Sequence, residues 1–96
     1  MEKVNIFEAH SIPTIKIGSG ILIAIEHCDD AIKAIYDSKY HFLGYEGFKV
    51  FPDGKRQPNL SFSASFSFER QPTIDEVLNG IDLETSEITH YEFVFG

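Results

Sequence analysis

Residues 60–68 read LSFSASFSF, in which apolar and serine side chains alternate without interruption. Successive side chains of a β-strand point to opposite faces, so this period of two predicts a strand with one apolar face and one hydroxyl face. We expect the even positions, from Leu60 to Phe68, to face a core. The serines then either allow close packing, are simply exposed, or form a flat recognition surface on an exposed side.

The segment before this strand predicts its pairing partner. Residues 40–51 are rich in the aromatic and branched side chains typical of strands, and Gly44 and Gly47 within them indicate a bulge or a sharp bend. Between the two strands, the sequence PDG at 52–54 is a turn signal that opens a polar loop over 55–59. We therefore expect a β-hairpin.

Upstream of the hairpin, apolar residues recur three and four positions apart, with charged residues largely opposite. They are Ile21, Ala24, Ile25, Cys28, Ala31, Ile32 and Ile35. This spacing predicts an amphipathic helix, with Ser19 as its N-cap. Residues 18–20 read GSG, which lacks the third glycine of a dinucleotide fingerprint and the Gly-Lys-Ser/Thr of a P-loop, so we expect a plain turn and no nucleotide site.

The two ends of the chain complete the pattern. Near the N-terminus, Val4 with Ile6 and Ile15 with Ile17 indicate extended segments separated by a break at 11–13. Towards the C-terminus, Thr73 and Glu76 have the form of a capping box for a short helix that stops at Gly80. Residues 88–95 then predict a last strand, in which Tyr91, Phe93 and Phe95 share one face with Thr89.

These elements predict one α+β domain that covers residues 1–96, in the order β-α-β-β-α-β. The sheet is mainly antiparallel with three to four strands, one long helix packs on it, and there is one short helix. A chain of 96 residues with 43% hydrophobic and 14% aromatic residues has enough apolar side chains for one core. Its single cysteine excludes an internal disulfide framework.

The location of the protein is inferred from what its sequence lacks. The N-terminus has no basic region leading into an apolar one, and the longest purely apolar run, at 21–25, is far too short to span a membrane. We therefore expect a cytoplasmic protein that does not bind membranes.

The charge indicates the kind of partner. The net charge is −7, and from Glu69 onward seven acids stand against one base, Arg70. Direct binding to DNA or RNA needs clustered Lys and Arg, so the charge favours a basic protein partner instead. Solubility alone is the other explanation of these acids.

Catalytic and metal-binding patterns are missing from the sequence. Cys28 lies on the apolar stripe, which indicates a buried structural residue, and the four histidines are scattered singly without metal-ligand spacing. We therefore expect neither enzyme activity nor a cofactor or metal. Among the acids, Glu46 stands out because it lies in the aromatic, glycine-containing sequence GYEGF at 44–48, where a rim charge at a bulge is the simplest explanation.

Two short motifs resemble a known family. Residues 43–47 read LGYEG after the first helix, and residues 63–66 read SASF in the serine-rich strand. This order is similar to that of small bacterial immunity proteins, which neutralise tRNA-cleaving colicins and related contact-dependent or polymorphic toxins. The similarity covers about 45 residues of the 96.

The resemblance implies an inhibitor that covers the cationic substrate groove of a cognate nuclease toxin, which we expect to be an RNase, and that needs no cofactor. Acids and aromatic residues from two regions are expected to make contact with the toxin. They are Tyr45, Glu46, Phe48 and Asp53 around the bend, and Glu84, Glu87, Tyr91 and Glu92 near the C-terminus. The competing explanation is that three of them, Tyr45, Phe48 and Tyr91, are core residues.

Two other classes remain open on the sequence. A phage-encoded inhibitor of a host nucleic-acid-binding complex has the same small acidic character, and only its partner distinguishes it. A small enzyme, or a subunit that lends one residue to a shared active site, predicts a deep pocket with a perturbed acid or histidine. The oligomeric state is not indicated by any pattern.

Overall fold

The computed structural model describes residues 4–17 and 20–96. Within these ranges the chain is an α+β fold with three helices and a five-stranded sheet, which confirms the predicted class and exceeds the expected strand number by at least one. The helices are α1 (Val4–Ala9), α2 (Ile25–Asp37) and α3 (Ile74–Gly80). The strands are β1 (Ile15–Ile17), β2 (Gly20–Ala24), β3 (Phe42–Val50), β4 (Arg56–Ser65) and β5 (His90–Phe95).

The sheet has the order β1-β2-β5-β3-β4, and each strand is antiparallel to its neighbours. The last strand of the chain, β5, therefore lies at the centre and joins the N-terminal pair of strands to the hairpin. Beyond its end, the backbone of Gly96 exchanges hydrogen bonds with His41, at 2.9 and 3.1 Å. Strands β1 and β4 form the two edges.

The extra strand is β2, which occupies the start of the predicted helix. Leu22 and Ile23 are both fully buried although neighbouring strand residues point to opposite faces. A strand buried on both sides has a continuous apolar sequence, and such a run has no period that distinguishes it from a buried helix. The prediction of helix over residues 21–24 is therefore wrong.

Helix α2 begins at Ile25 and ends at Asp37, with Ala24 in the N-cap position. Its first amide, that of Ile25, donates to the carbonyl oxygen of Thr89 at 3.1 Å, so the strand β5 region supplies the cap that Ala24 lacks. The predicted cap Ser19 lies outside the described residues, as do Gly18 and residues 1–3.

The first helix, α1, replaces a predicted extended segment. Two apolar residues at Val4 and Ile6 made a pattern too short to identify a strand. In the structure Ile6 and Phe7 are both buried in the same core cluster as α2, and the Phe7 ring meets Phe95 edge-on at 5.8 Å between centroids. Tertiary packing thus favours the helix at this position, whereas the extended prediction for 15–17 is confirmed by β1.

The hairpin of β3 and β4 is confirmed, including the irregularity expected at the two glycines. Register shifts occur between Phe42 and Gly44 in the pairing with β5, and between Glu46 and Gly47 in the pairing with β4. The turn is tighter than expected, because β4 already begins at Arg56 within the predicted loop. Around the turn, Phe51 pairs with Lys55 through a backbone hydrogen bond of 2.8 Å.

The alternating pattern of 60–68 is confirmed at its centre and wrong at its ends. Phe62, Ala64 and Phe66 are half-buried and pack against the core. Leu60 is 77% exposed and Phe68 is 59% exposed. The shift of register displaces Leu60 from the regular ladder, and β4 ends at Ser65 before Phe68 is reached.

Helix α3 has the predicted capping box. The amide of Glu76 donates to Oγ1 of Thr73 at 3.1 Å, and the amide of Thr73 donates to Oε1 of Glu76 at 3.2 Å. Val77 is the buried contact of this helix, which packs beside α2. Between α3 and β5 the chain crosses in an irregular segment, residues 81–89.

The sheet has two unlike faces. One face packs against α2 and carries the core aromatic residues, among them Tyr91 and Phe93. We call the opposite one the outer face; since residues paired across strands share a face, it carries Leu22, Glu92 and Glu46 in one row. In the part of the chain that the structure describes, the longest helix has 13 residues, and none is long and apolar enough to cross a membrane.

Candidate functional site

Two acids meet at the middle of the outer face. Glu46 of β3 is the direct register partner of Glu92 of β5, and both side chains are half-buried. Like charges directly opposite on antiparallel strands destabilise a sheet by roughly 0.2–1 kcal/mol. The structure therefore brings together two of the predicted contact residues, which lie 46 positions apart in the sequence.

A groove runs beside Glu46 on the hairpin. Its volume is about 320 Å³. It is lined by Leu43, Gly44, Tyr45, Glu46, Leu60, Ser63, Ala64, Ser65 and Val94. We call it the Glu46 groove. Its lining combines two exposed aliphatic side chains, small hydroxyls and one carboxylate, which suits an aliphatic chain that ends in a positive charge.

The two motifs that carry the family resemblance form this groove together. In the register of β3 and β4, Gly44 is opposite Ser65, Tyr45 is opposite Ala64, and Glu46 is opposite Ser63. Gly44 is required here, because a Cβ atom at this position would lie 2.4 Å from the carbonyl oxygen of Ala64. The LGYEG and SASF sequences are thus one paired structural unit.

A second groove lies on the other side of Leu60. It has a volume of about 430 Å³ and contains one acid, Glu87, and one base, Lys49. Its lining residues are Lys49, Gln57, Pro58, Asn59, Leu60 and Glu87. We call it the Glu87 groove. Leu60 lines both grooves and forms the ridge between them.

The loop that carries Glu84 and Glu87 is held by its own side chains. Oδ1 of Asp82 accepts hydrogen bonds from the amides of Glu84 and Thr85, at 2.9 and 3.0 Å. The amide of Glu87 in turn donates to Oγ1 of Thr85 at 3.0 Å. Such turns fix the backbone of residues 82–87 and leave both glutamate side chains exposed.

Two of the three aromatic residues predicted to touch a partner, Tyr45 and Tyr91, lie in the core cluster, and the third, Phe48, is buried on the outer face as the register partner of His90. Tyr91 has no exposed surface, Tyr45 is 8% exposed and Phe48 is 7% exposed. The Tyr91 hydroxyl donates to the carbonyl oxygen of Asp82 at 2.7 Å, which anchors the 81–89 segment to β5. Burial raises the pKa of Tyr45 and raises that of Tyr91 further, so both phenols are neutral supports of the surface above them.

The remaining predicted contact residues are dispersed. Asp53 is exposed at the tip of the hairpin, where its carboxylate accepts the amide of Lys55 at 3.0 Å and lies 4.0 Å from that residue's ammonium group. Glu84 lines a separate hollow with residues 78–83. The structure therefore brings Glu46 and Glu92 together, places Glu87 across the Leu60 ridge, and leaves Asp53 and Glu84 outside this surface.

Sequence reasoning missed Leu60 and Val94 as surface residues. Leu60 was expected in the core, and Val94 alternates with buried aromatic residues on β5 and is 50% exposed. A signal for Leu60 is present in Pro58, since proline is confined to edge strands and bulges of a sheet. The exposure of Val94 follows from the alternation of β5, because its neighbours Phe93 and Phe95 face the core.

No family model, no curated protein and no solved structure matches the chain.

His90 also lies on the outer face, as the register partner of Phe48. Its Nδ1 is 2.7 Å from Oγ1 of Thr89, and that oxygen accepts the amide of Val50 at 2.8 Å. Burial lowers the pKa of His90. The neutral imidazole fits this site, because Nδ1 can donate to or accept from the Thr89 hydroxyl according to its tautomer.

Cys28 has the structural role expected for it. The side chain is fully buried, and its Sγ donates weakly to the carbonyl oxygens of Ala24 and Ile23, at 3.3 and 3.5 Å. Burial raises the pKa of the thiol to about 12, which keeps it protonated and unreactive at neutral pH. Within residues 4–17 and 20–96, no three His, Cys, Asp or Glu side chains form a group that could hold a metal ion.

Proposed function

We propose that this protein is an immunity protein, which binds a cognate nuclease toxin and blocks it by covering the cationic groove that holds the nucleic acid. The observation that carries the proposal is the direct pairing of Glu46 with Glu92 on the outer face. Their repulsion costs folding free energy in the free protein and is relieved when a lysine or arginine of a partner lies between them.

The charge of the whole chain supports the same kind of partner. A net charge of −7 on 96 residues repels nucleic acid and attracts a cationic protein. Surface fields of this kind raise association rates by about 10- to 1000-fold, and the effect falls steeply with salt. A nuclease needs a cationic groove for its phosphate backbone substrate, and that groove is complementary to an acidic surface.

The family resemblance supplies the reason to name a nuclease toxin, and an RNase in particular. Its two motifs, at 43–47 and 63–66, pair with each other and line the Glu46 groove. The part of the chain most similar to immunity proteins thus contributes Glu46 and the small hydroxyl side chains of this groove, whereas Glu92 and Val94 come from β5. Tyr91 is fully buried and supports this surface from within, and Tyr45, which is 8% exposed, lines the groove.

The proposal is tested by copurification from the native host followed by an activity assay. The tagged protein is isolated at low salt, and the bound protein is released with 1 M salt, at which the Debye length is about threefold shorter than at 0.1 M. The released protein is then incubated with labelled RNA. We expect a basic protein that cleaves the RNA and loses this activity when the purified protein is added back. Recovery of a host nucleic-acid-binding complex without nuclease activity would contradict the immunity function and favour a phage-type inhibitor.

A further inference from the structure

Leu60 is the most exposed large apolar side chain among the residues that the structure describes, at 77%. In the same part of the chain, the other exposed large apolar residues are Phe68 at 59%, Val94 at 50%, Ile15 at 40% and Phe51 at 37%. A single exposed leucine is ordinary on a protein surface, so exposure alone does not identify a contact. The position of Leu60 between two acid-bearing grooves is the additional observation.

The backbone around Leu60 is held in a wide bulge. Glu46 pairs with Ser63 and its neighbour Gly47 pairs with Asn59, so residues 60–62 of β4 are inserted opposite a single step of β3. Two side chains close the insertion. Oδ1 of Asn59 accepts the amide of Ser61 at 3.1 Å, and the Ser63 hydroxyl donates to the carbonyl oxygen of Leu60 at 2.8 Å.

These hydrogen bonds fix the backbone at Leu60 before any partner arrives, so its side chain starts from a defined position on the surface. An anchor that is already ordered loses less conformational entropy on binding than a flexible one. The bulge and Pro58 also interrupt the outer edge of β4, so a partner strand cannot extend the sheet along its whole length. A partner is therefore more suited to bind the Leu60 side chain than to add a strand to the sheet.

The acids on both sides of Leu60 define the chemistry of the partner. The Glu46 groove has Glu46, with Glu92 next to it in the sheet, and the Glu87 groove has Glu87. Lys49 also lines the second groove, where its ammonium group lies 5.8 Å from the centre of the Phe51 ring. An aliphatic knob with carboxylates on either side is complementary to an apolar pocket whose rim carries lysine or arginine.

We propose that Leu60 is the hydrophobic anchor of the interface, and that it enters an apolar pocket, rimmed by basic side chains, on a cationic protein. This inference rests on the proposed function for the identity of that protein as a nuclease. Interface hot spots fill desolvated pockets near the centre of the contact, and Leu60, which lines both grooves, is positioned to fill such a pocket. The acids then set the association rate, and Leu60 sets the rate of release.

The test is site-specific photocrosslinking of the full chain in its native host. A benzophenone amino acid is placed at position 60, at position 94 across the Glu46 groove, and at position 15 on the opposite sheet edge as the matched control. The protein captured from position 60 is purified, and its affinity is measured by calorimetry for the wild type, Leu60→Ala and Ile15→Ala. Leu60→Ala is expected to keep the wild-type melting temperature, because its side chain is 77% exposed, and Ile15→Ala, at 40% exposure, is expected to remain folded with a small decrease.

We expect a basic protein to be captured from position 60 and not from position 15. Leu60→Ala should weaken its binding by at least about tenfold, and Ile15→Ala should change it by less than about twofold. If that protein has no nuclease activity, the inference about Leu60 holds and the proposed function fails.

Three results would overturn the inference. The first is capture of a basic protein from position 94 but not from position 60, or an affinity for Leu60→Ala equal to that for the wild type. The immunity function survives this result if the captured protein is a nuclease. The second is capture of an acidic protein, a lipid or a second copy of the chain from position 60. The third is no specific capture from any of the three positions, which also removes the proposed function.

Discussion

Glu46 and Glu92 lie directly opposite each other on β3 and β5, so the centre of the outer face carries two neighbouring carboxylates. Leu22 completes the row on β2 and is fully buried. An arrangement that places like charges beside an apolar side chain opposes folding and favours the approach of a cation. The first prediction follows from this pair.

Glu46→Gln is expected to raise the free energy of unfolding by about 0.2–1 kcal/mol, because it removes the repulsion from Glu92. Urea denaturation at low salt measures the change, and the gain should shrink as salt screens the two charges. Asp30→Asn, at an exposed site on α2 remote from the outer face, is the matched control and should leave stability nearly unchanged. A loss of stability in Glu46→Gln would show that this carboxylate makes a favourable contact in the free protein.

Gly44→Ala is expected to destabilise the fold by about 1–3 kcal/mol. The added methyl group would lie 2.4 Å from the carbonyl oxygen of Ala64, and the φ angle of Gly44 is +154°. Gly80→Ala is the control, since a Cβ atom there meets nothing within 4 Å. Thermal unfolding compares the two variants, and equal melting temperatures would contradict the close approach of β3 and β4 at this glycine.

Tyr91→Phe should loosen the segment that carries Glu84 and Glu87. The lost hydrogen bond to the carbonyl oxygen of Asp82 costs about 1–2 kcal/mol, because it leaves a partly buried acceptor without its partner. Hydrogen exchange is expected to become faster for the amides of residues 84–87, whereas the amides of α2 should be little affected. Unchanged exchange in the loop would mean that its internal turns alone hold it.

The free energy of unfolding should decrease as the pH is lowered, because His90 becomes protonated. Burial lowers the pKa of His90 in the folded state, so the unfolded state binds more protons once the pH drops towards its ordinary value of about 6.5. Folding stability contributed by the neutral ring is therefore present above that pH and is lost below it.

His90→Gln separates this effect from those of the other histidines. Urea denaturation between pH 8 and pH 5 should give a shallower decline of stability for the variant than for the wild type. Parallel curves would contradict the lowered pKa.

Local chemical signals predicted much of the fold. The capping box of Thr73 and Glu76, the hairpin turn at 52–54 and the bulges at Gly44 and Gly47 are each determined by residues a few positions apart. These features depend on backbone conformations that particular residue types favour, so they are visible before the fold is known. The α+β class follows from them.

Features that depend on the register between distant strands could not be predicted in this way. The burial of Leu22 and Ile23 on opposite faces makes residues 20–24 a strand, although their apolar run has no distinguishing period. The exposure of Leu60 depends on a shift of pairing, and an error of one residue in register exchanges the two faces of a strand. For the same reason, no local pattern indicates that Glu46 faces Glu92.

The most direct test of the account is a titration of nuclease activity with the purified protein. Cleavage of labelled RNA by the partner recovered from the host is measured against increasing amounts of the wild type, of the double variant Glu46→Lys and Glu92→Lys, and of Asp30→Lys as the control. We predict complete inhibition by the wild type and by Asp30→Lys, and at least about a hundredfold weaker inhibition by the double variant at moderate salt. Equal inhibition by all three proteins would contradict a contact through the outer face, and continued cleavage at saturating wild-type protein would contradict the immunity function itself.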